Sequence, residues 1–329
     1  ILSISIGFSI RLVKEKLPYQ NIATKSEPIS PEILSASPPL MNVNPPIELI
    51  FVGDILLDRG VYQIIQRFGK GDFRFPFVKL ADKLQKADLV FGNLEGPISN
   101  KGQDLRKIYS FRMSPEAISG LKFAGFGILS IANNHIGDWG KEAFNDTLSN
   151  LENAGIIPIG AGRNYKEAYQ AKILEIKGIK IAFLAFSDFL SYPEAKENEA
   201  GIAVANSDKI KLAIKEAKEK ADLIVVSFHF GEEYQKIASF RQEELAQLAI
   251  DGGADLVIGH HPHVVQSLKE SKSKYIAYSL GNFVFDQGFS QETMEGGLLK
   301  VEINSRTKSI ESVKLDYICL NNYFQPDFC

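Results

Sequence analysis

Cysteine is almost missing from these 329 residues: only Cys319 and Cys329 occur, both near the C-terminal end. That excludes a cysteine-built zinc module and a disulfide scaffold, and it leaves open whether the two pair. Neither sign of charge dominates, since 37 Lys and Arg against 40 Asp and Glu give a net charge of −3. A general nucleic-acid binder is therefore not expected. No apolar run reaches the roughly 20 residues that a membrane-spanning helix needs. Phosphate-loop chemistry lacks its GxxxxGK[ST], since GKGDF at 69–73 is not that motif. GAGRN at 160–164 is half of a dinucleotide fingerprint without the rest, and no GxSxG elbow supports a nucleophilic serine. Internal repeats are absent as well.

The chain does have 45% hydrophobic residues, enough for a sizeable core without disulfides. Its length fits one large domain or two ordinary ones. The opening ILSISIGFSI is apolar and is followed by Arg11, Lys14 and Lys16. Residues 1–17 read as the remnant of a signal or anchor segment, with a buried strand or helix as the alternative. Seven of the 14 prolines fall in 18–46, a stretch without glycine. Proline removes backbone donors and favours extended chain, so this is a stiff spacer. Anchor, spacer and then a domain over 47–318, with 319–329 as a tail, is the layout of a membrane-tethered, extracytoplasmic protein.

From Ile47 onward apolar runs alternate with helical patterns. IELIFVG, DLVFGN, GFGILSIA, DLIVVSFH and DLVIGH read as buried strands, and AKILEI with KIAFLAFS as a hairpin around Gly178. Strands apolar on both faces and separated by helices indicate an α/β protein with covered sheets. After residue 260 the helices give way to successive strand-like runs. The expectation is two packed sheets with helices outside, a four-layer α-β-β-α sandwich whose second half is closer to antiparallel.

Strand after strand stops at a polar group. The first ends at Asp54, the second at Asn93 and Glu95, and the third at Asn133, Asn134 and His135. Two later ones end at His229 and at His260, His261 and His263. Loops beyond strand carboxyl ends converge in open α/β sheets, and all five histidines of the chain lie there. One strand-end histidine is ordinarily structural; five with two carboxylates point to metal. Imidazole mixed with carboxylate suits Mn, Fe or Zn. Asp54, Glu95, Asn134, His229, His261 and His263 exceed one tetrahedral shell and suit one or two ions sharing a carboxylate. His135 is then free to move a proton. His261 and His263, taken as extended chain, would point to the same side.

FVGDILLDRG (51–60), FGNLEGPIS (91–99), SIANNHIGDWG (130–140), HFGEEY (229–234), GADLVIGHHPHVVQ (253–266) and YSLGNFVFDQ (278–287) follow one another in the chain. Together they resemble the bacterial capsule or poly-gamma-glutamate synthesis accessory family (CapA/PgsA-like), of calcineurin-like metallophosphatase fold. The resemblance implies Asp54 as first-strand ligand, Glu95 as bridging carboxylate, and Asn134 as a ligand beside a His135 that serves the leaving group. It implies His229 and His261 on one metal, and His263 on the other. Leu56 stands where metallophosphatases carry a histidine ligand, so the first site is incomplete unless another residue such as Asp58 compensates. Arg59, Asn93, Asn133, Glu233, His260 and Asn282 are expected as substrate contacts or supports of the ligands, and Trp139 as packing near the 133–140 loop. The implied partners are an anionic polymer and the membrane-associated machinery that makes it. The implied roles are assistance in polymer synthesis, export or anchoring, metal-dependent hydrolysis, or binding without turnover.

Overall fold

In the computed structural model, which describes residues 45–329, β1 (Ile47–Ile55) leads through α1 (Arg59–Phe68) and the short α2 (Ala81–Leu84) to β2 (Leu89–Leu94). α3 (Ala117–Ala124), β3 (Phe126–Ser130), α4 (Gly140–Asn153) and β4 (Ile157–Ile159) continue the alternation. β5 (Ala161–Gly162) and α5 (Tyr165–Tyr169) precede the hairpin β6 (Lys172–Ile176) and β7 (Ile179–Ser187). β8 (Gly201–Ile202), α6 (Ser207–Lys218), β9 (Leu223–His229), α7 (Phe240–Gly252) and β10 (Leu256–His260) follow. The chain then runs through β11 (Leu268–Ser271), β12 (Lys274–Ala277), β13 (Asn282–Val284), β14 (Glu295–Asn304), β15 (Ser309–Leu320) and β16 (Pro326–Phe328).

The period-two alternation of β1 sets the layering. Leu49 and Phe51 point between two sheets, where they meet Ile181, Phe183, Val225 and Ile258. Ile50 and Val52 point outward and pack with Val61, Ile65, Leu121 and Phe144 from the helices on that side. The second sheet does the same: Ala182, Leu184, Val226 and Val257 face away from the first sheet, onto Ile210, Ile214, Leu245 and Ala249. Both faces of the central strands of both sheets are thus dry, and the four layers are helix, sheet, sheet and helix.

The first sheet has the order β16-β15-β14-β1-β2-β3-β4, with β13 also on β1; the second runs β11-β12-β10-β9-β7-β6, and β5 pairs β8 apart from both. Within the second sheet β7, β9, β10 and β12 are mutually parallel, and only the edge strands β6 and β11 run antiparallel. The long antiparallel ladders instead belong to the first sheet, where β14 pairs β1 and β15. Of the strands after residue 260, β11, β14, β15 and β16 stand in antiparallel pairs while β12 and β13 also pair in parallel, so the second half of the chain is the more antiparallel one, as expected.

Residues 319–329, read above as a tail, add β16 to the sheet edge, and Cys319 and Cys329 form a disulfide. The bridge spans 10 residues at an edge. Its reduction is expected to cost no more than about 2–3 kcal/mol. Amide exchange at residues 327–329 should quicken while β1 and β9 stay protected, since edge elements open locally. Global unfolding on mild reduction would contradict this.

Among the described residues no helix is long and apolar enough to cross a membrane. The expectation of a membrane protein is corrected accordingly: the described apolar runs are short strands and amphipathic helices spent on the protein's own cores. The anchor remnant at 1–17 and the spacer up to residue 44 lie outside the described residues.

Candidate metal centre

Register brings the polar strand ends into two facing rows. Asp54 lies opposite Asn93 on one side and Asn282 on the other, and Asn93 lies opposite Ser130. In the second sheet His229 lies opposite His260. Two glycines allow the approach of the neighbouring chain. A Cβ on Gly53 would stand 1.9 Å from the Gly281 carbonyl oxygen, and one on Gly259 would stand 1.9 Å from that of Tyr278. Only glycine fits beside Asp54 and His260.

Asp54 is fully buried. Its Oδ1 accepts the Asn93 amide at 2.8 Å, and its Oδ2 accepts the His261 backbone N–H at 3.1 Å. Nδ1 of His260 and Nδ1 of His263 each lie 3.4 Å from one of its oxygens. Burial pushes the Asp54 carboxyl up, but His260, His263 and the Asn93 amide outweigh it and hold it below its usual range. Glu95 is the opposite case. Both its oxygens are buried without a hydrogen-bond partner, 3.6 Å from His263 Nε2 and 3.9 Å from His135 Nε2 at their closest. Burial, together with Asp54, Glu233 and Asp138, pushes its carboxyl well up.

The histidines are held neutral, as metal ligation requires. Burial and the other imidazoles lower His229 well below its usual value and bring His261 to about 3; burial also lowers His263. His229 Nε2 stands 2.8 Å from Asn134 Oδ1, and its ring is 4.9 Å from that of His261. Nδ1 of His261 is buried without a partner. His263 Nδ1 lies 2.9 Å from Asn282 Oδ1, and Asn282 is fixed in turn by its amide to Gln287 and to the Thr293 carbonyl. The 261–263 segment is not the extended chain expected from sequence. His261 and His263 have φ of 97° and 57°, in or near the left-handed region that non-glycine residues adopt at some cost. Their rings still face one another at 5.9 Å.

Two groups of donors each gather within 4.8 Å: Asp54, Glu95 and His263, and Glu233, His261 and His263. These clusters are positioned to coordinate a divalent metal, as one or two sites. The orphaned oxygens of Glu95 and the orphaned nitrogen of His261 are what such an ion would satisfy, so the donor set fits. His263 stands in both groups, rather than on one side only. Leu56 is buried in the outer core and offers no ligand. Asp58 belongs to neither donor group, and its Oδ2 accepts the Arg112 backbone N–H at 2.8 Å. Glu233 supplies a carboxylate instead. The sequence leads one to expect it as a substrate contact or a support of the ligands, and the doubled acid in HFGEEY is the available signal.

His135 stands apart from both groups. Its Nδ1 lies 2.7 Å from Asp138 Oδ2, and Phe111 stacks on its ring at 4.0 Å. Asp138 also accepts the Phe111 N–H at 3.0 Å and pairs with Lys107 at 2.8 Å. A carboxylate only accepts, so the proton sits on Nδ1 and Nε2 faces the cleft. Asp138 was not singled out from sequence, although its spacing of three from His135 on a turn was visible. Asn133 braces this loop: its amide reaches Asn93 and the Leu94 carbonyl, and its Oδ1 accepts the His135 N–H. His260 is fully buried beside Asp54 and under Phe91. Trp139 carries Arg112 over its ring at 3.5 Å.

The cleft over the donors has a volume of about 180 Å³ and is lined by residues that include His135, His263, Glu233, Arg59, Tyr109 and Tyr234. A larger groove of about 580 Å³ beside Ile157 and Leu174 contains no histidine and no acidic pair. The chemistry therefore belongs to the smaller cleft.

A family model described as bacterial capsule synthesis protein PGA_cap matches residues 48–287. The chain is 35% identical over 287 residues to the capsule biosynthesis protein CapA of Bacillus anthracis, covering 84% of this chain and 68% of that one. It is 34% identical over 258 residues to the PGA biosynthesis protein CapA of Bacillus subtilis strain 168, covering 77% and 67%. A crystal structure titled as a novel phosphatase from Mycoplasma pneumoniae superposes with a TM-score of 0.53 at 17% identity, covering 86% and 95%. At that identity the likeness concerns the fold, which is metallophosphatase-like.

Proposed function

The chain belongs to the bacterial capsule synthesis protein PGA_cap family, and from that membership we propose that it cleaves its polymer with a divalent metal held at the two donor groups. It is an accessory protein of capsule or poly-gamma-glutamate synthesis built on a phosphoesterase-like fold. The observation that carries the hydrolytic reading is Glu95, a buried carboxylate with two unpartnered oxygens between Asp54 and His263. A buried charge without a partner is costly, and a cation relieves it.

Asp54, Glu95, Glu233, His261 and His263 would hold the metal, with His229 and Asn134 beside them, and the mixed nitrogen and oxygen set suits Mn, Fe or Zn. When bound, such an ion supplies Lewis acidity and a water acidified towards neutrality. The chain's own groups do the rest. His135, fixed by Asp138 and stacked on Phe111, presents Nε2 to the cleft and delivers a proton to the leaving group when doubly protonated. The aromatic rings of Phe111, Tyr109 and Tyr234 narrow access for water. The substrate is an anionic polymer chain, and the partners are that polymer and the machinery that makes it. The Cys319–Cys329 bridge favours an oxidising, extracytoplasmic compartment. A second reading, binding without turnover, is favoured by Leu56 at the missing ligand position.

Elemental analysis of protein purified without added metal or chelator, beside the His261→Ala/His263→Ala double variant, separates these. About one or two equivalents of Mn, Fe or Zn, lost in the variant, together with cleavage of poly-gamma-glutamate by wild type alone, is the expected result. Metal without cleavage of any polymer or phosphodiester would favour the binding role. No metal, with a fold indifferent to both substitutions, would overturn the reading.

A further inference from the structure

Arg59 is the first residue of α1 and has a left-handed backbone, with φ of 53°. Its Nε pairs with Asp286 Oδ2 at 3.2 Å, and the same oxygen accepts the Gly60 N–H at 2.9 Å. The arm is therefore pinned at its inner nitrogen. Among the described residues no hydrogen bond is made by its two terminal amino groups, and the side chain is 38% exposed at the cleft. The guanidinium carbon lies 5.3 Å from the centre of the Phe111 ring, whose centre lies 4.0 Å from that of His135. A rigid stack thus sets a planar, always-charged fork one ring away from the proton-delivering imidazole. Lys107, the other cation near His135, is already paired with Asp138.

A free guanidinium fork matches one carboxylate in bidentate fashion. The cleft of about 180 Å³ is smaller than a usual small-molecule pocket and suits a single polymer unit. We propose that Arg59 is the specificity-determining residue of this cleft: its terminal amino groups bind the pendant carboxylate of a γ-linked glutamyl unit, placing the adjacent backbone amide beside His135. This rests on the polymer-cleaving reading above. It adds that the cleft selects a carboxylate at a fixed offset from the bond, and so rejects neutral γ-linked chains.

The test uses the full chain with γ-glutamyl oligomers and with the same oligomers whose pendant carboxylates are converted to amides. Wild type should prefer the charged oligomer. Arg59→Gln should raise its KM about tenfold to a hundredfold, the range for a lost charged hydrogen bond. The change in kcat should be smaller, metal content should be unchanged, and the charged and amidated oligomers should now be handled alike. Arg59→Lys, which keeps the charge and loses the fork, should fall between. A wild type indifferent to the amide conversion, or an Arg59→Gln variant that loses both oligomers equally, would overturn the role of Arg59 and leave the hydrolytic reading standing. A wild type that neither binds nor cleaves any γ-glutamyl oligomer would overturn the hydrolytic reading, and this inference with it.

Discussion

Glu95→Gln is expected to make the metal-free protein more stable while weakening its response to metal. The carboxylate is fully buried, has no hydrogen-bond partner, and sits near Asp54, Glu233 and Asp138. A neutral amide of the same shape removes the uncompensated charge, a gain of about 1–3 kcal/mol. The sign depends on pH. Burial and neighbouring carboxylates raise the Glu95 carboxyl in the folded state, so folding takes up a proton once pH exceeds the unfolded value of about 4.3. Its contribution to stability therefore falls as pH rises from there towards the folded value. The advantage of the variant should be largest near neutrality and vanish below about pH 4. Metal reverses the order. Saturation to about 100 times Kd stabilises wild type by about 2.7 kcal/mol, and the variant should show less of this because the group of Asp54, Glu95 and His263 loses a carboxylate. Urea melts with chelator and with Mn or Zn, at neutral and acid pH, read all of it. A Glu95→Gln protein less stable than wild type in chelator, or equally stabilised by metal, would show that Glu95 is not a ligand.

The second large effect concerns rate alone. His135→Ala should lower kcat on the polymer by about 10²- to 10⁴-fold, the usual worth of a positioned acid or base, with metal content unchanged. Asp138→Asn should give much of that loss. The Asp138 carboxylate accepts from His135 Nδ1 and Phe111 N on one oxygen and ion-pairs with Lys107 through the other. Whichever way an asparagine amide turns, its NH2 meets a donor: Lys107 on one side, or Phe111 N–H with the imidazole on the other. The ring then loses its fixed tautomer. Comparable loss of bound metal in His135→Ala would make it a ligand rather than a proton carrier.

Legibility in the sequence followed the reach of each signal. Asp54, Asn93, Glu95, Asn134, His135, His229 and the 260–263 cluster stood out because each closes an apolar run, and in parallel sheets such ends gather at one rim. The four layers were legible for a similar reason, since runs such as DLIVVSFH are dry on both faces. What local pattern could not carry was partnership. Nothing in GGLLKVEI says that it pairs with IELIF more than 240 residues away. Nothing in LLDRG says that Asp58 turns to a backbone N–H in the 112 region and stays outside both donor groups. The left-handed turns at His261 and His263 were likewise hidden, because a His-Pro-His string gives no cue for positive φ. Glu233 joined the donors only through its loop's return over β10, a three-dimensional fact.

The place of β14 has a consequence for the order in which the chain is made. β1 is the first described strand to leave the ribosome, yet one of its two long flanks is covered only when residues 299–303 arrive to pair with 47–51. Until then a nascent chain that already contains both metal-donor groups presents an uncapped, apolar strand edge, the kind of surface that recruits other chains. At roughly 5–20 residues per second, the exposure persists for the time needed to synthesise most of the protein. Truncations that end between β13 and β14 should consequently accumulate as aggregates even though every proposed ligand is present.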